Sequence, residues 1–151
     1  MRLSTRSRYA VRVLVELARR YGMGLVPLGE IAREQRLSPQ YLESILRKLR
    51  KAGIVELKRG AGGGCRLERE PAQVTVWDVV REVEDFALAP CSPGGEGPQA
   101  CELAECCPAQ SLWQGLEDAV KRHLAGITLQ ELARHRPASG AQPGHAYPFQ
   151  I

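Results

Sequence analysis

A mainly α-helical chain carrying one small β-hairpin is predicted by three observations. Apolar residues recur at helical spacing in two short stretches, around Ile31 and from Leu42 to Leu49, joined by the three-residue turn Gln35-Arg36-Leu37. An alternating run from Ile54 to Arg59 is followed by the glycine-rich segment 60–64 and a returning strand, Cys65 to Leu67. Further helical stripes flank this unit on both sides.

From Ser4, Ala10, Val13, Leu14, Leu17 and Tyr21 line one face of a first helix, which Gly22 and Gly24 stop. Pro27 opens a short second helix with Ile31 and Ala32 inside. Ser38 then caps a third, with Pro39 at the first helical position, where a missing N–H costs nothing. Leu42, Ile45, Leu46 and Leu49 form its buried stripe, leaving Gln40, Tyr41, Glu43, Arg47, Lys48, Arg50 and Lys51 outside or on the flanks, and Gly53 closes it. After the hairpin, Thr75 and Asp78 cap a helix whose buried stripe is Val76, Val79, Val80 and Val83. Periodicity is lost over residues 86–110. Ser111 with Gln114 then predicts a capped long helix bearing Trp113, Leu116, Val120 and Ile127. Gly126 interrupts it, and Thr128 with Glu131 caps a last short turn. The chain thus divides into a capped helix-and-hairpin region (1–85), a cysteine-rich loop (86–110), a dimerisation helix (111–135) and a flexible tail (136–151).

The 151 residues suit a single domain, and 44% hydrophobic residues can supply its core, which excludes a disordered chain. Arg12 and Glu16 interrupt the best apolar run, so neither a membrane span of roughly 18 residues nor a signal peptide is expected, and the protein reads as cytoplasmic. No Ser, His and Asp constellation is recognisable, and residues 60–64 lack the Lys-Ser/Thr ending of a phosphate-binding loop. An enzyme is not expected.

Charge is distributed unevenly. Residues 1–60 hold 14 Lys and Arg against 5 Asp and Glu, a charge of +9, whereas the remainder holds 7 against 12, a charge of −5. Two helices, a tight turn and a hairpin in the basic part make the pattern of a winged helix-turn-helix, whose second helix enters the DNA major groove. Gln40 and Tyr41 would then face base edges or phosphates, Arg47, Lys48 and Lys51 the backbone, and the wing would offer Lys58 and Arg59, an arginine there suiting a narrow minor groove. Double-stranded DNA is the expected partner. RNA is disfavoured because only 5% of residues are aromatic, which leaves few stacking platforms.

Four of the five cysteines, Cys91, Cys101, Cys106 and Cys107, crowd into the loop, an arrangement suited to a thiophilic metal or an iron-sulfur cluster. Structural zinc is less well matched, since only Cys101 and Cys106 form a tolerable knuckle pair. Adjacent residues seldom aim both sulfurs at one site, so one of Cys106 and Cys107 is a spare, and isolated Cys65 is packing.

These residues together carry a resemblance. Met1-Arg2-Leu3-Ser4, Arg8-Tyr9-Ala10-Val11, Tyr41-Leu42-Glu43, Leu49-Arg50-Lys51-Ala52-Gly53, Gly62-Gly63-Gly64, the spacing of Cys101, Cys107 and Trp113, and Ile127-Thr128-Leu129-Gln130-Glu131-Leu132 resemble the IscR-type transcription regulators of the Rrf2 family over about residues 1–134. The resemblance implies a homodimeric regulator, read as a repressor or dual regulator, whose operator binding is controlled by an iron-sulfur cluster, of 2Fe–2S rather than 4Fe–4S type. It implies cluster ligation by Cys91, Cys101 and Cys107 and DNA contacts at Ser38, Gln40, Tyr41, Glu43 and Arg59. The chain departs from the family pattern at Gln110, where relatives place a histidine, and at Arg8, where others place a carboxylate. The fourth ligand is therefore open among Gln110, Ser4 or Ser7 supplied by a second subunit, and an exogenous group. The alternatives are a clusterless thiol-redox regulator and a zinc-stabilised adaptor.

Overall fold

The structure, a computed structural model, describes residues 4–60, 62–87 and 107–135. Cys91, Cys101, Cys106 and the expected tail lie outside the described residues.

Helix α1 (Thr5–Arg19) starts where the Ser4 hydroxyl accepts the Ser7 N–H at 3.2 Å, and its buried stripe is Ser7, Ala10, Val13, Leu14, Leu17 and Ala18. Tyr21, expected on that stripe, lies beyond the helix and is 45% exposed, because α1 has already ended before the glycines. Helix α2 (Leu28–Gln35) follows, and Arg36 takes up the left-handed conformation (φ 55°) that reverses the chain. Arg20 fastens α2 to α1, reaching Glu16 at 3.0 Å, Glu30 at 2.6 Å and Glu34 at 2.7 Å. Its hydrogen bonds to Glu34 and Glu30 raise the guanidinium pKa further above its ordinary value.

Helix α3 (Pro39–Lys51) begins as its cap predicts, with the Ser38 hydroxyl accepting the Tyr41 N–H at 3.2 Å. Leu42, Ile45, Leu46 and Leu49 are all fully buried. Gly53 (φ 65°) turns the chain into strand β1 (Val55–Lys58), which pairs antiparallel with β2 (Gly64–Leu67), Val55 opposite Leu67 and Lys58 opposite Gly64. The hairpin is also fixed at its base. Val26 and Cys65 exchange both backbone hydrogen bonds at 2.9 Å, tying β2 to the segment that enters α2.

A single 3-10 turn, Pro71–Gln73, leads into α4 (Val76–Val83), whose capping box is formed: the Thr75 hydroxyl accepts the Asp78 N–H, and the Asp78 carboxylate accepts the Thr75 N–H at 3.0 Å. Helix α5 (Gln110–Ala125) differs from expectation at its start. Cys107–Gln110 close a turn first, so Ser111 lies inside the helix, Ala109 occupies the cap position and no side chain caps it. Helix α6 (Leu129–Arg134) has the second capping box, Thr128 with Glu131. Backbone bonds from Val76 to Ile127 and from Leu129 to Val74, each 2.9 Å, lay the two capped starts side by side.

This pairing returns the C-terminal segment to the core. Leu129 is fully buried in the cluster with α1, α3 and the hairpin, a role its surroundings in sequence did not reveal. By contrast Leu112, Trp113 and Leu116 on α5 are 63%, 41% and 45% exposed, and the buried residue of that helix is Glu117, paired with Lys121 at 2.6 Å. No helix among the described residues is long and apolar enough to cross a membrane.

A side chain at Gly64 would place its Cβ 2.3 Å from the Val26 carbonyl oxygen. Gly64→Ala is therefore expected to lower stability by about 1–3 kcal/mol, read as a reduced denaturation midpoint. Asp78 is also diagnostic of acid stability. Burial opposes its ionisation, but the Thr75 N–H and hydroxyl and nearby Arg81 outweigh this and hold its pKa below the usual value. A depressed folded-state pKa gives stability that is present above the unfolded value and lost as pH falls through the folded one. Thr75→Ala should cost about 1 kcal/mol at pH 7 and flatten the acid limb of a stability-against-pH curve.

Candidate nucleic-acid interface and cysteine site

The burial of one face of α3 leaves the other facing solvent from a fixed support. Ser38, Gln40, Arg47, Lys51 and Arg59 are exposed, and Glu43 and Tyr41 are partly so. Tyr41 is held as well as presented: its ring meets Tyr9 of α1 edge-to-face at 6.1 Å, and Arg12 lies over Tyr9 at 5.4 Å. The Ser38 oxygen is engaged as the cap, so what it retains for a DNA phosphate is its hydroxyl proton.

Glu43 links the helix to the wing. Its carboxylate lies 3.3 Å from Arg47 and 3.8 Å from Arg59, so three of the expected DNA-contact residues form one charge cluster across α3 and the β1–β2 turn. Arg59 is otherwise open, its side chain 88% exposed. The turn beyond it needs glycine: Gly60 and Gly62 have φ of 92° and 73°, and a Cβ at Gly63 would fall 2.4 Å from the Lys58 carbonyl oxygen. Lys48, grouped by spacing with the outward cations, turns toward α4 and donates to the Val83 carbonyl at 3.5 Å.

The two described cysteines differ in kind. Cys65 is fully buried on β2, and burial pushes its thiol pKa up to about 12, so it stays a packed, protonated side chain. Cys107 is partly exposed immediately before α5. Its carbonyl accepts the N–H of Gln110 at 3.2 Å, which places the cysteine and the glutamine at the two ends of one turn. Among the described residues no group of three or more metal-ligating side chains comes together, and Cys91 and Cys101 fall outside them.

Ser4 and Ser7 are engaged within their own chain. The Glu84 carboxylate accepts the Ser4 N–H at 3.1 Å, the Ser4 hydroxyl at 3.1 Å and the Ser7 hydroxyl. Ser7 is buried and Ser4 partly exposed, and both are hydrogen-bonded within their own chain. Glu84 had no local sequence signal, because its partners lie 77 and 80 residues away.

Comparison with known proteins agrees with this geometry. The family model of Rrf2, described as an iron-dependent transcriptional regulator, matches residues 3–135. The HTH-type transcriptional regulator IscR of Photorhabdus laumondii is 35% identical over 136 residues, 90% of this chain and 81% of that protein. Among solved structures, T. potens IscR superposes with a TM-score of 0.70 at 33% identity, covering 89% of this chain and 87% of its own. The oxidized form of Staphylococcus aureus CymR does so with a TM-score of 0.71 at 32% identity, covering 91% and 99%. The relatives named IscR are transcriptional regulators, which are not enzymes. On the match over residues 3–135 and these identities, the chain belongs to the Rrf2 family of transcriptional regulators.

Proposed function

We propose that this DNA-binding regulator acts in the cytoplasm as a homodimeric repressor or dual regulator whose operator affinity is set by an iron-sulfur cluster held by Cys91, Cys101 and Cys107. The observation that carries the DNA part is the Glu43, Arg47 and Arg59 cluster, which joins a rigidly backed helix to a wing. In this reading α3 enters the major groove, with Gln40 and Tyr41 at base edges and Ser38, Arg47 and Lys51 on phosphates, while Arg59 follows the minor groove. Glu43 restrains two cations until DNA competes for them. Its carboxylate repels phosphate and accepts from cytosine N4, so it acts as a selectivity filter.

The donor set fits an iron-sulfur cluster. Thiolates suit iron, and Cys107 is partly exposed next to the N-terminal end of α5. With both serines bound by Glu84, Gln110 is the preferred fourth ligand within the chain. From the family resemblance, a 2Fe–2S cluster is proposed rather than 4Fe–4S. When bound, such a cluster supplies a group that oxidants or iron supply can change. The exposed Leu112, Trp113 and Leu116 face of α5 is assigned to the twofold contact. A second reading, regulation through thiol oxidation without a cluster, is supported by the likeness to the oxidized form of CymR.

Anaerobic purification followed by iron and sulfide assays separates the two readings: iron and sulfide in the wild type, lost in Cys91→Ala, Cys101→Ala and Cys107→Ala and kept in Cys106→Ala and Cys65→Ala, are expected. Metal-free protein whose operator binding responds to oxidant alone would select the second. For DNA, Arg47→Ala or Arg59→Ala should each reduce the slope of log affinity against log salt by about one unit. Glu43→Ala, which releases both arginines, should strengthen nonspecific binding and relax the operator motif recovered by selection from random duplexes. Tyr41→Phe is the clean probe of the hydroxyl at that position, since it keeps the packing on Tyr9.

A further inference from the structure

The C-terminal end of α4 touches the DNA-binding unit at two points. Val83 offers its carbonyl to Lys48 of the reading helix, and Glu84, the next residue, gathers the N–H and hydroxyl of Ser4 and the hydroxyl of Ser7 at the start of α1. Ser4, Lys48, Val83 and Glu84 line one pocket of about 420 Å³ together with Tyr41. Two residues beyond Glu84, Phe86 packs edge-to-face on Trp77 at 5.4 Å, and Trp77 in turn lies under Lys121 of α5 at 5.8 Å. Thus the chain leaving α4 toward the cysteine-rich segment is fastened on one side to α1 and α3, and on the other to the helix that follows Cys107.

We propose that Glu84 is the positioning residue through which a change of state at the cysteines reaches the DNA-reading helix. The inference rests on the reading that those cysteines control operator binding. The Glu84 Oε2 alone accepts from all three groups at the α1 start, the Ser4 N–H and the hydroxyls of Ser4 and Ser7, so a small displacement of residues 84–86 breaks several hydrogen bonds together. The same displacement moves the Val83 carbonyl away from Lys48 and loosens Tyr41 against Tyr9, since α1 carries Tyr9. A carboxylate is required because all three partners are donors there. The arrangement is a packed element with two settings, biased at one end by the cysteines and read at the other by DNA.

The test is operator affinity before and after two treatments, anaerobic iron and sulfide loading and diamide oxidation of the thiols, with iron content measured throughout. Wild type is expected to shift by about tenfold or more under at least one treatment. Glu84→Ala should retain wild-type iron content but shift by less than about twofold, with amide exchange accelerated at residues 4–8 ahead of the rest of the chain. Glu84→Gln, which keeps one acceptor oxygen, should fall between, and it replaces the alanine variant as the deciding case if that variant does not fold. A purely structural role would lower the melting temperature and weaken both states equally, leaving the ratio intact, and that result overturns the proposal. So does a wild type that responds to neither treatment. A wild type that responds to diamide and takes up no iron overturns the cluster reading while leaving Glu84 to be judged by the same ratio.

Discussion

Complete burial of Leu42, Ile45, Leu46 and Leu49 is the constraint on which the other features depend. Each side chain contributes on the order of 1.5–3 kcal/mol relative to exposure, and together they leave α3 no freedom to roll. Ser38 and Pro39 set where the helix starts, and Gly53 sets where it stops, so its outer face has a fixed rotation and a fixed length. The ladder between Val26 and Cys65 then places the wing on the same support. Reading helix and wing are therefore presented together before DNA arrives, and little ordering cost remains for binding to overcome.

Net charge overstates what this surface offers to a polyanion. Of the fourteen cations in residues 1–60, Arg20 is committed to Glu16, Glu30 and Glu34, and Lys48 leans on a backbone carbonyl. Arg47 and Arg59 share Glu43. These last two pairs are exposed, so solvent screens them and phosphate can displace the carboxylate at small cost. The Arg20 cluster, by contrast, is a three-way clamp between α1 and α2, and its role is to hold the first helix of the pair against its neighbour. Charge that is free for DNA and charge that holds the fold together are thus separated by geometry, which no count of residues reveals.

Local features read well from sequence wherever the determinant was itself local. The Ser38-Pro39 cap, the four-residue stripe of α3, both capping boxes at Thr75 and Thr128, and the hairpin at its glycines all arise from neighbours within a few positions. The start of α5 misled because Ser111 and Gln114 satisfy the capping pattern while a turn at Cys107–Gln110 begins the helix earlier. Leu129 and Glu84 were invisible for another reason. Their partners are distant in the chain, and a single leucine after a threonine, or a glutamate ending a valine-rich helix, looks like any surface residue until the fold brings α6 and α1 beside them. The proposed DNA-contact residues were picked out by type and spacing, but that Glu43 joins two of them required the hairpin to be folded back over α3.

The position of Cys107 relates the two halves of the proposed regulation. It precedes by one turn the helix whose Leu112, Trp113 and Leu116 are exposed among the described residues. In the proposed dimer a second copy seated on that apolar face would lie beside the cysteine, and cluster ligation and subunit pairing would then share one end of one helix. On the flank of α5 next to Trp113, Glu117 pairs with Lys121, and Lys121 lies over Trp77, which meets Phe86, so this side of the helix packs against its own domain. If α5 meets a partner as proposed, a shift at Cys107 would alter that contact together with the packing on Trp77. On that proposal a change in thiol ligation would have a mechanical route to the spacing of two reading helices as well as to the setting of each one.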